Sequence, residues 1–104
     1  MRMLEVCPLG DLPAGTARIV REGWLAIGVY NLGGELYAIE DRCSHDDGPL
    51  CEGAWQQERC VVVCPRHGSE FDLRTGVPLT LPAVLGVRTF PVRLDEGIVT
   101  VELP

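Results

Sequence analysis

Phe90-Pro91-Val92-Arg93-Leu94-Asp95-Glu96-Gly97-Ile98-Val99-Thr100-Val101-Glu102-Leu103 is the stretch that decides the fold class. Phe90, Val92 and Leu94 alternate with polar or small neighbours, Asp95-Glu96-Gly97 carries turn chemistry, and Val99, Val101 and Leu103 alternate again. A period of two sends successive side chains to opposite faces, so the stretch predicts a half-buried antiparallel ribbon. Upstream, Thr16–Arg21, Trp24–Tyr30, Glu35–Ile39 and Arg59–Val63 are short β-branched and aromatic runs of strand character. Asn31-Leu32-Gly33-Gly34 lies between two of them and predicts a hairpin, because asparagine and glycine tolerate the positive φ of tight turns. Twelve glycines and eight prolines punctuate the chain. The longest stretches free of both are Glu35–Asp47 and Ala54–Cys64, which leaves little room for long helices. The fold class is therefore all-β, built of antiparallel sheets in a sandwich or barrel-like domain.

Length and charge narrow the function. The 104 residues suit a single domain spanning 1–104, and a hydrophobic content of 46% argues for a folded globule. A net charge of −6 makes nucleic acid an improbable partner; it fits either docking onto a basic protein surface or simple solubility. The N-terminus has no long apolar stretch, and the longest unbroken apolar run, Cys60–Cys64, is far short of the roughly 20 residues a membrane span needs. Five cysteines without an export signal suggest a reducing compartment, so a cytoplasmic location is expected, with thiols available for metal.

Two motifs carry chemistry: Cys43-Ser44-His45 and Cys64-Pro65-Arg66-His67, separated by the eighteen residues from Asp46 to Val63. They hold both histidines of the chain. A lone histidine or cysteine is usually packing, but each histidine following a cysteine by two or three positions points to one shared metal site. Counting donors leaves both a tetrahedral Cys2His2 zinc and a 2Fe-2S cluster open. Geometry favours iron-sulfur, since two loops that each bring one cysteine and one histidine can place both thiolates on one iron and both imidazoles on the other. Structural zinc sites more often pair a C-x2-4-C knuckle with H-x3-5-H on a helix, and that combination is absent.

At these residues the sequence resembles the Rieske family, whose defining pair is C-x-H and C-x-x-H on two loops of a β domain. Gly68-Ser69-Glu70-Phe71-Asp72, Arg74-Thr75-Gly76 and Leu81-Pro82-Ala83 extend the likeness, which runs from about Tyr37 to the C-terminus. The resemblance implies a base sheet and a smaller cluster-binding subdomain of two loops at about 41–83. It further implies one 2Fe-2S cluster, with Cys43 and Cys64 on the inner iron and His45 and His67 on the outer. Two neutral imidazoles in place of thiolates remove negative charge and raise the potential above that of an all-cysteine site.

Ser69 matches a serine that donates to the cluster in high-potential members, whereas Phe71 stands where those members have a tyrosine hydroxyl, so a lower potential is expected. Gly48 and Arg66 occupy the positions of the loop-bridging cysteines of respiratory and photosynthetic members, so no disulfide is expected there. The nearest resemblance is to the soluble ferredoxins of bacterial oxygenases. It implies one-electron transfer from a flavin-dependent ferredoxin reductase to a terminal oxygenase or another redox enzyme, with no substrate turnover by the chain itself. The rivals are a Rieske-like small subunit of the nitrite reductase type and a zinc-stabilised interaction module. Leu81-Pro82-Ala83 would cover the cluster. Asp46, Asp47 and Glu52 would steer the histidine edge to a cationic partner. Cys7, Cys51 and Cys60 read as buried thiols, and Trp24, Tyr30, Trp55 and Phe90 as packing residues.

Overall fold

Ten β-strands and one 3-10 turn (Leu9–Asp11) form the regular structure of the described residues, 2–44 and 48–104 of the computed structural model. The strands are β1 (Arg2–Pro8), β2 (Ala17–Glu22), β3 (Leu25–Leu32), β4 (Glu35–Glu40), β5 (Trp55–Gln56), β6 (Val61–Val63), β7 (Glu70–Asp72), β8 (Thr89–Phe90), β9 (Val92–Asp95) and β10 (Ile98–Leu103). They assemble into three antiparallel sheets ordered β1-β10-β9, β2-β3-β4-β8 and β5-β6-β7. The expected all-β class holds. Among the described residues no helix is long and apolar enough to cross a membrane.

Local chemistry accounts for the hairpins. β9 and β10 meet at Asp95↔Ile98, and the two turn residues, Glu96 and Gly97, take φ of 50° and 82°. β3 and β4 close at Leu32↔Glu35 through Gly33 and Gly34, both at positive φ, while the Asn31 side-chain oxygen accepts the Gly34 N–H at 2.8 Å. A two-residue turn of this kind matches the right-handed twist of its strands.

In the sheet β2-β3-β4-β8 the central strand β3 is buried on both sides, and this positions everything else. Ile27, Val29, Ala38 and Phe90 face a core shared with Val99, Val101, Leu103 and Leu12. Tyr30 and Ile39, on the other face, join Cys43, Leu50, Cys60, Val62, Cys64, Phe71, Leu73, Ala83 and Val87. β3 therefore reads as an almost continuous apolar run, as a strand covered on both faces should.

Two expectations need correction. Leu94 is 51% exposed, because β9 is the edge strand of its sheet, whereas its cross-strand partner Val99 in β10 is fully buried. Trp24 is 86% exposed at the tip between β2 and β3, where no element covers it, whereas Tyr30 and Phe90 are buried and Trp55 packs edge-on to Tyr30 at 4.9 Å.

Candidate metal centre

The second motif is part of a hairpin. Val63 pairs with Glu70 across β6 and β7, and the ladder continues past the strand ends: Cys64 N–H donates to Ser69 O at 2.8 Å and Gly68 N–H to Cys64 O at 2.9 Å. Gly68 takes a φ of 75°, which lets the chain turn back after His67. Cys64 is 1% exposed while Pro65, Arg66 and His67 are at the surface, so the tight turn separates a buried sulfur from an exposed imidazole within four residues.

The first motif sits in an irregular loop after β4. Cys43 is fully buried in the same core as Cys64, Leu50 and Phe71, and its N–H donates to Gly48 O at 2.8 Å. His45, and with it Asp46 and Asp47, lies outside the described residues. The structure thus brings Cys43 and Cys64 into one core and leaves His67 outside it. All five cysteines are free thiols, in keeping with Gly48 and Arg66 where other members bridge their loops.

The segment Val77–Leu85 lies across both loops. Leu79 N–H donates to Glu70 O at 2.6 Å, Ala83 N–H to the Ser69 hydroxyl oxygen at 3.1 Å, and the Ser44 hydroxyl to Leu85 O. Ser69 is fully buried, and because Ala83 occupies one acceptor position of its oxygen, its own proton is left to point elsewhere in the core. Leu81, Val84 and Leu85 are 77%, 71% and 67% exposed, an apolar rim beside the loops. Glu40, 6% exposed, anchors the return: one oxygen accepts Arg88 N–H at 3.3 Å, and the other faces the guanidinium groups of Arg42 at 3.2 Å and Arg88 at 3.7 Å. A carboxylate buried with two cations and a backbone donor is compensated.

The donor set suits a 2Fe-2S cluster. Two buried sulfurs on separate loops, an imidazole at the surface and a buried hydroxyl within the same core separate a thiolate side from a solvent side, as two differently ligated irons require. Among the described residues no three His, Cys, Asp or Glu side chains are grouped as around a single ion.

A profile of the Rieske [2Fe-2S] domain matches residues 2–91. The chain belongs to this family. It is also 38% identical over 104 residues to the 3-phenylpropionate/cinnamic acid dioxygenase ferredoxin subunit of Escherichia coli (strain K12), covering 100% of this chain and 96% of that protein. Among solved structures, the ferredoxin of carbazole 1,9a-dioxygenase from Nocardioides aromaticivorans IC177 superposes with a TM-score of 0.86 at 33% identity, covering 94% of this chain and 96% of its own. A chain from a complex of reduced oxygenase and oxidized ferredoxin in carbazole 1,9a-dioxygenase gives 0.87 at 37% identity, covering 95% of this chain and 91% of that one. As a Rieske protein of ferredoxin type, the chain has one 2Fe-2S cluster as its cofactor and is an electron carrier, not a catalyst of substrate turnover.

Phe71 is fully buried in the core with both cysteines, so the hydroxyl expected of high-potential Rieske proteins is absent from this site. Cys7 and Cys60 are buried as expected. Cys51 is only partly shielded as a residue, yet burial of its thiol pushes the pKa up to about 12, with the Tyr30 hydroxyl opposing and the Asp41 carboxylate adding. It stays protonated and inert at neutral pH.

Three residues that hold the loops are not apparent from the motifs. Gly53 lies flat against Val63 O and Pro65, where a Cβ would collide, and so packs the exit of the first loop onto the second. Gly28, in β3, leaves the space that the Cys51 thiol fills. An isolated glycine within a strand run is the available signal for such a close approach. Asp41 is the third, and no local pattern marks it.

Proposed function

We propose that this Rieske protein is the ferredoxin of a multicomponent aromatic-ring dioxygenase, taking electrons singly from a flavin-dependent reductase and delivering them to a terminal oxygenase in the cytoplasm. Residues 41–83 of a single domain are its cluster-binding unit, with Cys43 and Cys64 as thiolate ligands and His45 and His67 as imidazole ligands. The observation that carries this reading is the placement of both cysteine sulfurs in one dry core while His67 stands at the surface. When bound, the cluster supplies a one-electron couple. The chain's own residues set its surroundings: Leu50, Phe71 and Ala83 exclude water from the thiolate side, and His67 marks the edge where a partner can approach.

The rim of Leu81, Val84 and Leu85 beside that edge favours docking by apolar burial. The net charge of −6 adds steering towards a cationic partner. Stopped-flow transfer to the oxygenase should therefore slow as salt rises, through the association rate, with little change in dissociation.

Anaerobic isolation followed by metal and acid-labile sulfide analysis tests the whole reading. Two irons and two sulfides per chain, with an EPR signal after dithionite reduction, support the carrier. One zinc supports the interaction module, and a metal-free, colourless protein supports the small-subunit reading; either would overturn it.

A further inference from the structure

We infer that Asp41 is the positioning residue of the first cluster loop, a carboxylate that clasps the loop at its neck and thereby fixes where Cys43 is presented. The backbone of Asp41 is itself anchored, its N–H donating to Ala26 O in β3 at 2.8 Å. From that fixed point a single side-chain oxygen accepts two N–H groups of the returning strand of the loop, Leu50 at 2.8 Å and Cys51 at 2.6 Å. The outgoing and returning legs are thus joined at one atom.

What lies on each side of the clasp makes it consequential. Leu50 is fully buried in the core that holds Cys43 and Cys64, so the position of its amide fixes a side chain that walls the thiolate side. Cys51 seats its thiol over Gly28, against Tyr30, in the space a Cβ at position 28 would need. Inside the neck Cys43 N–H donates to Gly48 O, and among the described residues of 42–50 no strand pairing supports the loop. An irregular segment held at its base by a charge-assisted acceptor is ordered by that acceptor. The buried Tyr30 hydroxyl accepts from neither amide.

The consequence for the cluster rests on the ligand assignment above, whereas the clasp stands on the described hydrogen bonds alone. The test uses the holoprotein, with hydrogen exchange read at the Leu50 and Cys51 amides, EPR of the reduced form, and the rate of iron release to a chelator. In Asp41→Ala, exchange at Leu50 and Cys51 should rise on the order of tenfold or more while the Cys64, Gly68 and Val101 amides keep their protection. The EPR g-values should shift, and iron release should quicken by a similar factor. Asp41→Asn keeps an acceptor oxygen and should restore protection and signal together.

Gly28→Ala, which displaces the Cys51 thiol from the opposite side, should loosen the same two amides even if Asp41→Ala fails to fold. Unchanged exchange in Asp41→Ala, equal loss of protection at Val101, or failure of Asp41→Asn to restore the amides would overturn the inference. If the protein instead isolates without iron and sulfide, the cluster reading falls, and the amide measurements still decide the clasp.

Discussion

The two cluster loops solve one problem in different ways. Residues 64–69 are a hairpin turn whose backbone bonds continue the β6–β7 ladder, so Cys64 and His67 are held by register. The described residues of 42–50 have no ladder and are held from outside: at the base by the Asp41 side chain, at Ser44 by Leu85 O, and at the exit by Gly53 against β6. A ladder is cooperative and survives the loss of one contact, whereas a loop tied by single side chains depends on each tie. The first loop should therefore be the one that responds to metal and to mutation.

Cluster removal is the harshest way to break this comparison. In Cys64→Ser, visible absorption and the reduced-state EPR signal should vanish. Exchange at the Cys43 and Leu50 amides should then rise on the order of 100-fold, against less than about tenfold at Cys64 and Gly68, as the ladder predicts. Equal rises in both loops, measured by hydrogen exchange, would refute the contrast.

A ligand change in the rigid loop is the next largest. His67→Cys should retain a cluster, because the turn can present a thiolate at the same place, and lower its potential by on the order of 100 mV, since an added negative charge disfavours reduction. Redox titration reads the shift, and an unchanged potential would remove His67 from the ligand set. Smaller still, Phe71→Tyr supplies the hydroxyl that position 71 lacks. The potential should rise by tens of millivolts, since about 59 mV corresponds to about 1.4 kcal/mol for one electron. A fall or no change would show that the new hydroxyl does not reach the cluster sulfurs.

The smallest effect lies on the outside of the ladder. Arg59 reaches Glu70 at 2.8 Å across the surface of β6 and β7. Hydrogen bonding to Arg59 holds the Glu70 carboxyl below its ordinary value of 4.5. A lowered folded-state pKa gives stability that is present above the unfolded value and lost as pH falls through the folded one. The Arg59 side chain is exposed and solvent screens the pair, so Arg59→Ala should leave the melting temperature at pH 7 within error and slightly flatten its decline below about pH 4.5. A drop of several degrees at pH 7 would mean the ladder leans on this pair.

Much of the scaffold could be read directly. Asn31–Gly34 and Asp95–Gly97 announce their hairpins, and the strand runs at Thr16–Arg21, Trp24–Tyr30 and Glu35–Ile39 lie within two residues of β2, β3 and β4. β1 was missed, because its partner β10 is at the other end of the chain and pairing over that distance leaves no local periodic trace; a register shift between Glu5 and Cys7 further breaks its alternation. Alternation sets Leu94 and Val99 on one face, where they pair, but not that this face is covered over β10 and left open at Leu94 on the edge strand, and an aromatic residue at a strand end such as Trp24 reads the same whether buried or at a bare hairpin tip.

The types of the candidate donors, their spacing and the absence of a hydroxyl at Phe71 were fixed by residue identity, since which atoms can bind iron or donate a hydrogen bond is a property of the side chains alone. Tertiary structure decided that Cys43 and Cys64 share one core, that Val77–Leu85 bridges the loops, and that Asp41, Gly28 and Gly53 hold them in place. The reason is physical: a carboxylate gains its role from amides nine and ten residues on, and a glycine from whatever packs where its Cβ would be. Neither relation exists until the chain has folded.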